Sequence, residues 1–358
     1  MVTYRKNNGR SKKSNNYAVI DLFCGIGGLT HGFVKEKFNV VAGIDVDESC
    51  KYAFEKNNNA EFINKRIEDI SSNYLKKLFP KNSKKILIGC APCQPFSKYT
   101  SKVTTDNKWG LLYEFARLIK KVKPEIISME NVPHLTNHVV YKDFVKTLKK
   151  LNYKITVEKV KCEEYGVPQK RTRLVLLASK LGKIDLIKKT HKNGNIKTVQ
   201  QAIGNLQPIK DGETCKKDKI HKARKLDTIN KKRIKHTSIG GSWKEWPKEL
   251  VLKCHKKKTG KSYRNVYGRM DWNKPASTIT TLCCGLGNGR FGHPEQDRAI
   301  SLREAALLQS FPKYYKFVKP RQQPTFNKLS KHIGNAVPVK LGKVIAKSIK
   351  KHLENVYV

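Results

Sequence analysis

The sequence contains no long hydrophobic run and few acidic residues. No apolar stretch approaches the roughly 18 residues that a membrane-spanning helix requires, so we expect no membrane partner. The 358 residues include 29 Asp and Glu against 74 Lys and Arg, a formal net charge of +45. Such an excess favours a polyanionic partner, usually nucleic acid. Of the basic residues, 60 are lysines, and an AT-biased coding sequence also produces a lysine excess. The charge therefore supports a nucleic-acid partner without establishing it.

Paired cysteines are also scarce. The nine cysteines are scattered and follow no secretory leader, which predicts free thiols in a reducing cytoplasm. Cys90 and Cys93 form a C-x-x-C pair, which is typical of redox pairs and of half a zinc site. Because no second such pair or His pair lies at zinc-ligand spacing, the sequence predicts no bound metal.

The segment GCAPCQPFS at residues 89–97 follows an apolar run, Ile86–Ile88, that predicts a buried strand. A cysteine at the carboxyl end of such a strand faces the crevice where open α/β sheets bind ligands. Pro92 and Pro95 restrict the loop around Cys93, as a positioned nucleophile requires. This segment alone leaves a nucleophile and a structural or redox thiol as equal alternatives.

Strand and helix patterns alternate along the first half of the chain. Apolar runs at 17–23, 40–44, 86–89 and 125–129 predict an α/β fold with a doubly wound, mostly parallel sheet. Residues 183–324 are basic, loop-rich and weakly periodic, which predicts a smaller second domain. Residues 325–358 return to helical spacing, and we expect them to complete a first domain of residues 17–182. Residues 1–16 are expected to form a disordered basic tail.

A glycine-rich turn and an acid suggest a cofactor site at the edge of the predicted sheet. The turn CGIGG occupies residues 24–28, and Asp45 lies 18 residues beyond Gly27, at the end of the second strand. This spacing suits hydrogen bonds to ribose hydroxyls. Because the full G-x-G-x-x-G is missing, an adenosine-type cofactor without pyrophosphate fits better, although such a turn can also merely end a strand.

An acid and two arginines are predicted near Cys93. Glu130 ends another strand at the same edge of the sheet, either as an acid beside a nucleophile or as a cap of the next turn. Arg171 and Arg173 share one side of an extended segment. They suit a phosphate or a base carbonyl, or they form a solvated basic face.

Taken in order, these motifs resemble those of DNA cytosine-5 methyltransferases of the bacterial restriction–modification type. The match covers about residues 17–350 and keeps the order of motifs in that family. The matching segments are DLFCGIGG at 21–28, PCQ at 92–94, ENV at 130–132, QKRTR at 169–173, RMDWNKPASTIT at 269–280, REAALLQSFP at 303–312 and GNAVP at 334–338.

The resemblance implies S-adenosylmethionine as the cofactor, with S-adenosylhomocysteine as its product. It places Phe23 against the adenine, Asp45 on the ribose and Asp69 with Ile70 at the adenine edge. Two positions depart from the family. Ala91 replaces a frequent proline, and Val46 replaces a frequent aromatic, which would weaken adenine stacking. The implied cofactor residues are Asp21, Phe23, Gly25, Gly27, Gly28, Asp45, Val46, Asp69, Ile70, Pro92, Leu112, Asn335, Ala336 and Val337.

The resemblance also implies covalent catalysis on a cytosine flipped out of the duplex. Cys93 would attack C6, Glu130 would stabilise the charge that attack places on the ring, and Arg173 would hold the base O2. Arg171 would support the loop or the backbone. No side chain is assigned as the base that removes the C5 proton, and water is expected to serve. Cys90 is expected to be scaffold.

Duplex DNA is the implied partner, bound mainly by residues 183–324 as a target-recognition domain. We expect a cytoplasmic, nucleoid-associated monomer, with a cognate restriction endonuclease linked only by genetic association. Two alternatives are methylation of tRNA, whose enzymes usually carry a Cys-Phe-Thr triplet that is missing here, and a catalytically silent DNA-binding relative. The expected DNA-contacting residues are Gln94, Ser97, Lys98, Arg233, Trp243, Arg264, Arg269 and Arg290.

Overall fold

A seven-stranded sheet organises the computed structural model, which describes residues 16–92, 110–192, 194–263 and 265–356. The strands are β1 (Tyr17–Leu22), β2 (Asn39–Asp45), β3 (Glu61–Asn64), β4 (Lys84–Gly89), β5 (Ile126–Asn131), β6 (Lys154–Lys161) and β7 (Thr172–Ser179). Their order is β3-β2-β1-β4-β5-β7-β6. Strands β1 to β5 pair in parallel, and β7 pairs antiparallel with β5 and β6. The predicted doubly wound, mostly parallel sheet is therefore confirmed.

Helices cover both faces of this sheet. The helices are α1 (Gly28–Lys35), α2 (Lys51–Asn58), α3 (Ser72–Leu78), α4 (Gly110–Val122), α5 (Val139–Lys150), α6 (Val199–Ile203), α7 (Thr228–Lys235), α8 (Lys253–Lys256), α9 (Leu302–Leu308), α10 (Phe326–Asn335) and α11 (Val339–Val356). Alternate residues of β1 point to opposite faces. Ile20 packs in one core with Phe115 of α4, and Val19 packs in another with Phe33 of α1 and Ile345 of α11. Both faces are buried, which explains why the parallel strands are nearly continuous apolar runs.

The C-terminal helix packs against the first helix, as its helical spacing predicted. A Cβ on Gly32 of α1 would lie only 2.3 Å from the carbonyl carbon of Gly342 of α11. The absence of side chains at these two positions lets the helices approach closely. Chain order reverses in the sheet between β1 and β4, where β2 continues one way and β5 the other. Such a reversal opens a crevice at the carboxyl ends of the strands.

The core continues from the sheet into the basic part of the chain. Phe54 of α2 belongs to the same buried cluster as Met270, Phe291 and Leu302. The expected division at residues 182/183 and 324/325 therefore lies across a shared apolar core, and it stays a prediction. Among the described residues, no helix is long and apolar enough to cross a membrane.

Candidate functional site

The glycine-rich turn after β1 adopts a backbone that few residues tolerate. Gly25 and Gly27 have φ values of 49° and 82°, and Phe23 itself has a φ of 62°. A Cβ on Gly28 would lie 2.3 Å from the carbonyl oxygen of Val337. The turn is thus in contact with the GNAVP segment. Gly28 and Val337, about 310 residues apart in sequence, meet at the crevice.

Asp45 shapes this turn from the end of β2. Its Oδ2 accepts a hydrogen bond from the Gly25 N–H at 2.8 Å, and its Oδ1 accepts one from the Asp47 N–H at 2.9 Å. Burial raises the pKa of Asp45. Asp21 is more deeply buried and accepts a hydrogen bond from the Thr30 hydroxyl at 2.5 Å. Burial, with a smaller contribution from Asp45, raises the pKa of Asp21 to about 7.

A cavity of about 340 Å³ opens beside the turn. Four of the predicted cofactor residues line it, together with neighbours that the sequence did not single out. Asp69 is exposed just beyond it, while Ile70 and Leu112 belong to the core. Asn335 is exposed, and Ala336 and Val337 contact Gly28. The cavity is lined by Phe23, Ile44, Asp45, Val46, Lys65, Arg66, Ile67, Glu68, Pro92 and Leu111.

A buried acid lies at the carboxyl end of β5, next to the end of β4. Glu130 is 2% exposed, and its Oε1 lies 3.1 Å from Nε of Arg173 on β7. The thiol of Cys90 donates a hydrogen bond to Glu130 Oε2 at 2.8 Å. Within the described ranges, Glu130 Oε1 accepts no hydrogen bond, so it keeps acceptor capacity for a ligand.

The two sheet segments at this acid are tied together. Gly89 of β4 pairs with Met129 of β5, and the Asn131 amide donates to the Ala91 carbonyl oxygen at 3.1 Å. Glu130 therefore sits beside Gly89–Ala91, at the carboxyl end of β4. Cys93, Gln94, Ser97 and Lys98 lie outside the described residues, so their predicted roles stay predictions.

Arg171 and Arg173 have different surroundings. Arg171 is 5% exposed and donates to the carbonyl oxygens of Ile279 at 2.9 Å and Gly334 at 3.4 Å. Burial, followed by the charge of Arg173, lowers the pKa of Arg171 to about 9. Arg171 thus ties β7 to two distant segments, whereas Arg173 faces the buried acid.

Two buried glutamines join the same segments, and the sequence reasoning missed this function for both. The Gln169 amide donates to Gln309 Oε1 at 2.7 Å, and its oxygen accepts from the Ile279 N–H at 3.0 Å. Gln309 donates in turn to the Ile333 carbonyl oxygen at 2.7 Å. Both residues stand inside matched motifs and follow an apolar residue. A polar side chain in such a position was the sequence signal for a buried hydrogen-bonding role.

Four predicted DNA-contacting residues are used inside the protein. Arg269 is 5% exposed and donates to four backbone oxygens and to Asp297. Arg290 donates to the Gly241 carbonyl oxygen at 2.6 Å. Arg233 donates to a backbone oxygen and lies over two aromatic rings, and Trp243 is buried and donates to a backbone oxygen.

These contacts favour structural roles. The residue types are basic or aromatic, as DNA contacts require, and their side chains make contacts within residues 183–324. Their contact with DNA stays a prediction. Arg264 lies outside the described residues.

One group of side chains offers ligands that a metal could take. Ligand atoms of Asp47, Cys50 and His332 lie within 4.8 Å of one another. His332 Nε2 lies 3.1 Å from Asp47 Oδ2 in a hydrogen bond, and burial raises the pKa of the Cys50 thiol, which keeps it protonated. Asp47 and His332 hydrogen-bond each other without an ion, and the expectation of no metal stays a prediction.

Comparisons with known proteins agree with this geometry. The family model described as C-5 cytosine-specific DNA methylase matches residues 17–351. The Type II methylase M.HgiDII of Herpetosiphon aurantiacus is 54% identical over 343 residues, which cover 95% of this chain and 97% of that protein. The Type II methyltransferase M.PspPI of a Psychrobacter species is 30% identical over 94% of this chain and 79% of that protein. A solved structure of a prophage-encoded E. coli DNA modification methyltransferase has the same fold, with a TM-score of 0.71 at 23% identity, and covers 94% of this chain and 99% of that one.

Proposed function

This chain belongs to the C-5 cytosine-specific DNA methylase family, and from that premise we propose that it is the modification enzyme of a Type II restriction–modification system. It transfers a methyl group from S-adenosylmethionine to C5 of a cytosine within one short duplex DNA sequence. The observation that carries the proposal is the buried acid centre. Glu130 pairs with Arg173 and, within the described residues, keeps an open acceptor beside the carboxyl end of β4.

The cavity beside the glycine-rich turn fits an adenosine-type group. Phe23 and Ile67 offer apolar surface, and Asp45 keeps lone pairs for ribose hydroxyls beyond its two backbone bonds. Val46 is 65% exposed at the rim and offers less surface for stacking than an aromatic residue would. Bound there, S-adenosylmethionine supplies an electrophilic methyl group on a sulfonium.

Cytosine C5 is a poor nucleophile until the ring is activated. The Cys93 thiolate would add to C6, and the C5–C6 π electrons would become available at C5. C5 would then bond to the methyl carbon as the bond between that carbon and the sulfonium sulfur breaks, and S-adenosylhomocysteine would leave. Loss of the C5 proton to water and departure of Cys93 from C6 restore the aromatic ring. Glu130, protonated or sharing a proton with N3, hydrogen-bonds the ring at that atom, and Arg173 holds O2 while its charge stabilises the adduct.

The target base must leave the duplex to reach this centre. Glu130 is 2% exposed at the bottom of the crevice, so no stacked base could contact it. Extrusion costs a few kcal/mol, and contacts between lysines and phosphates offset that cost. The formal net charge of +45 favours such contacts, and the side chains that read the sequence stay unassigned.

Bisulfite sequencing of DNA from cells expressing the protein tests the proposal. One short sequence should be protected at one cytosine, and expression of Cys93→Ser should leave it unprotected. A second assay compares tritiated methyl incorporation into duplex DNA and into tRNA. Protection of no consensus sequence, or incorporation into tRNA alone, would contradict a DNA modification enzyme.

A further inference from the structure

The thiol of Cys90 makes a direct contact with the catalytic acid of the proposed reaction. Cys90 follows β4, and its backbone N–H donates to the Leu22 carbonyl oxygen at 3.4 Å. Its Sγ donates to Glu130 Oε2 at 2.8 Å. We propose that Cys90 is a positioning residue, which holds the Glu130 carboxyl group in the orientation that methyl transfer requires. This inference rests on the proposed function.

Two contacts from different strands fix the two oxygens of this carboxyl group. Arg173 faces Oε1 from β7, and Cys90 faces Oε2 from the end of β4. The last torsion of a glutamate is broad, so a single ion pair leaves the carboxyl group free to rotate. With Cys90 on one oxygen, the other oxygen, which accepts no hydrogen bond within the described ranges, is held facing the crevice. The thiol therefore fixes the plane in which the carboxyl group meets the base.

A packing thiol is the ordinary alternative, since buried cysteines commonly act as small apolar side chains. Cys162 is such a residue nearby: it is 0% exposed, and burial raises its pKa to about 12. Along the described stretches, the other titratable groups facing Glu130 are Arg173 on β7, Arg171 just before β7 and Cys162 just after β6. Cys90 differs from Cys162 because its sulfur hydrogen-bonds the acid itself.

Single-turnover methyl transfer by three variants tests this role. Cys90→Ala should lower the rate about tenfold or more, as expected for loss of a hydrogen bond to a charged group, with the KM for S-adenosylmethionine nearly unchanged. Cys90→Ser keeps a donor and should restore most of the rate. Cys215→Ala is the matched control, because that buried thiol donates to the Gln207 side chain at 3.4 Å, remote from the acid.

A double-mutant cycle separates positioning from packing. In a Glu130→Gln background, Cys90→Ala should have no further effect on the rate. Equal losses in the Ala and Ser variants, or a full additional loss in the Gln background, would each overturn the proposal.

A spectroscopic measurement that needs no turnover distinguishes failure of this inference from failure of the proposed function. NMR of the protein labelled with ¹³C-glutamate, with the Glu130 signal assigned by Glu130→Gln, should show a changed Glu130 carboxyl chemical shift in Cys90→Ala and an unchanged one in Cys215→Ala. An unchanged shift in Cys90→Ala overturns the inference even where the wild type methylates DNA. A changed shift in a protein that methylates no DNA supports the contact and contradicts the function.

Discussion

Replacement of Arg173 tests the pairing of Arg173 with Glu130 through two measurements, the stability of the protein and the rate of methyl transfer. Arg173 and Glu130 are 3.1 Å apart, with side chains 15% and 3% exposed. Removing one partner of a fully buried pair costs about 3–5 kcal/mol, because a charge is left unpaired. Since Arg173 keeps some exposure, we expect Arg173→Ala to lower the free energy of unfolding by about 2–3 kcal/mol. Loss of its donors to the reacting ring should lower the methyl-transfer rate about 10²–10³-fold.

Arg173→Lys separates charge from geometry in the same experiment. Lysine keeps the charge but loses the planar fork, so most of the stability should return and much of the rate should not. The measurements are urea unfolding and single-turnover transfer at saturating cofactor. Lys183→Ala is the control, because its pair with Asp185 is 66% and 69% exposed and should contribute almost nothing. Arg173→Ala with wild-type rate and stability would refute the reasoning.

Three further predictions concern the cofactor turn and the core. Asp45→Asn replaces an acceptor of the Gly25 and Asp47 N–H groups and should weaken S-adenosylmethionine binding about 10–100-fold by calorimetry; an unchanged Kd would contradict this role. The pKa of Asp21 is raised from 3.8 to about 7, so the folded protein holds a proton that the unfolded chain releases. Wild-type stability should therefore fall as pH rises between these values, and Asp21→Asn should flatten the dependence in urea unfolding; equal slopes would contradict it. Burial raises the pKa of Glu304, but the hydrogen bonds and charge of Arg298 outweigh it and lower that pKa from 4.5 to about 2. The ion pair therefore stabilises the folded protein above pH 4.5, and this stabilisation is lost as the pH falls toward 2. Glu304→Gln should cost about 3 kcal/mol at pH 7 and nearly nothing near pH 2, and a pH-independent cost would be inconsistent with the ion pair.

The strands were predictable because two helical layers bury both faces of the sheet. Strand β4, at Lys84–Gly89, contains the apolar run at 86–89 that predicted it. Helix α3, at Ser72–Leu78, escaped prediction because it is short and Leu75 is its one buried residue, too little to show a period. Propensity alone does not identify such an element, and tertiary packing decides it.

Side-chain roles in the recognition region were less predictable than the fold. A basic residue type does not tell whether the guanidinium faces DNA or backbone carbonyls, and Arg269 does the latter. The contact of Cys90 with Glu130 depends on the register of β4 against β5, which no local pattern sets. Motif order could identify the acid and the glycine-rich turn, whereas the contacts that hold them require the folded chain.

The central claim is covalent attack by Cys93 on a target cytosine, and a fluorinated substrate tests it most directly. Duplex DNA with 5-fluorocytosine at the methylated position has no C5 proton to lose, so the enzyme should remain bound to the base. Mass spectrometry should find protein plus one DNA strand plus one methyl group, with the link on the peptide that contains Cys93, and no adduct with Cys93→Ser. A link at Cys90, or methylation with no trapped adduct, would contradict the account.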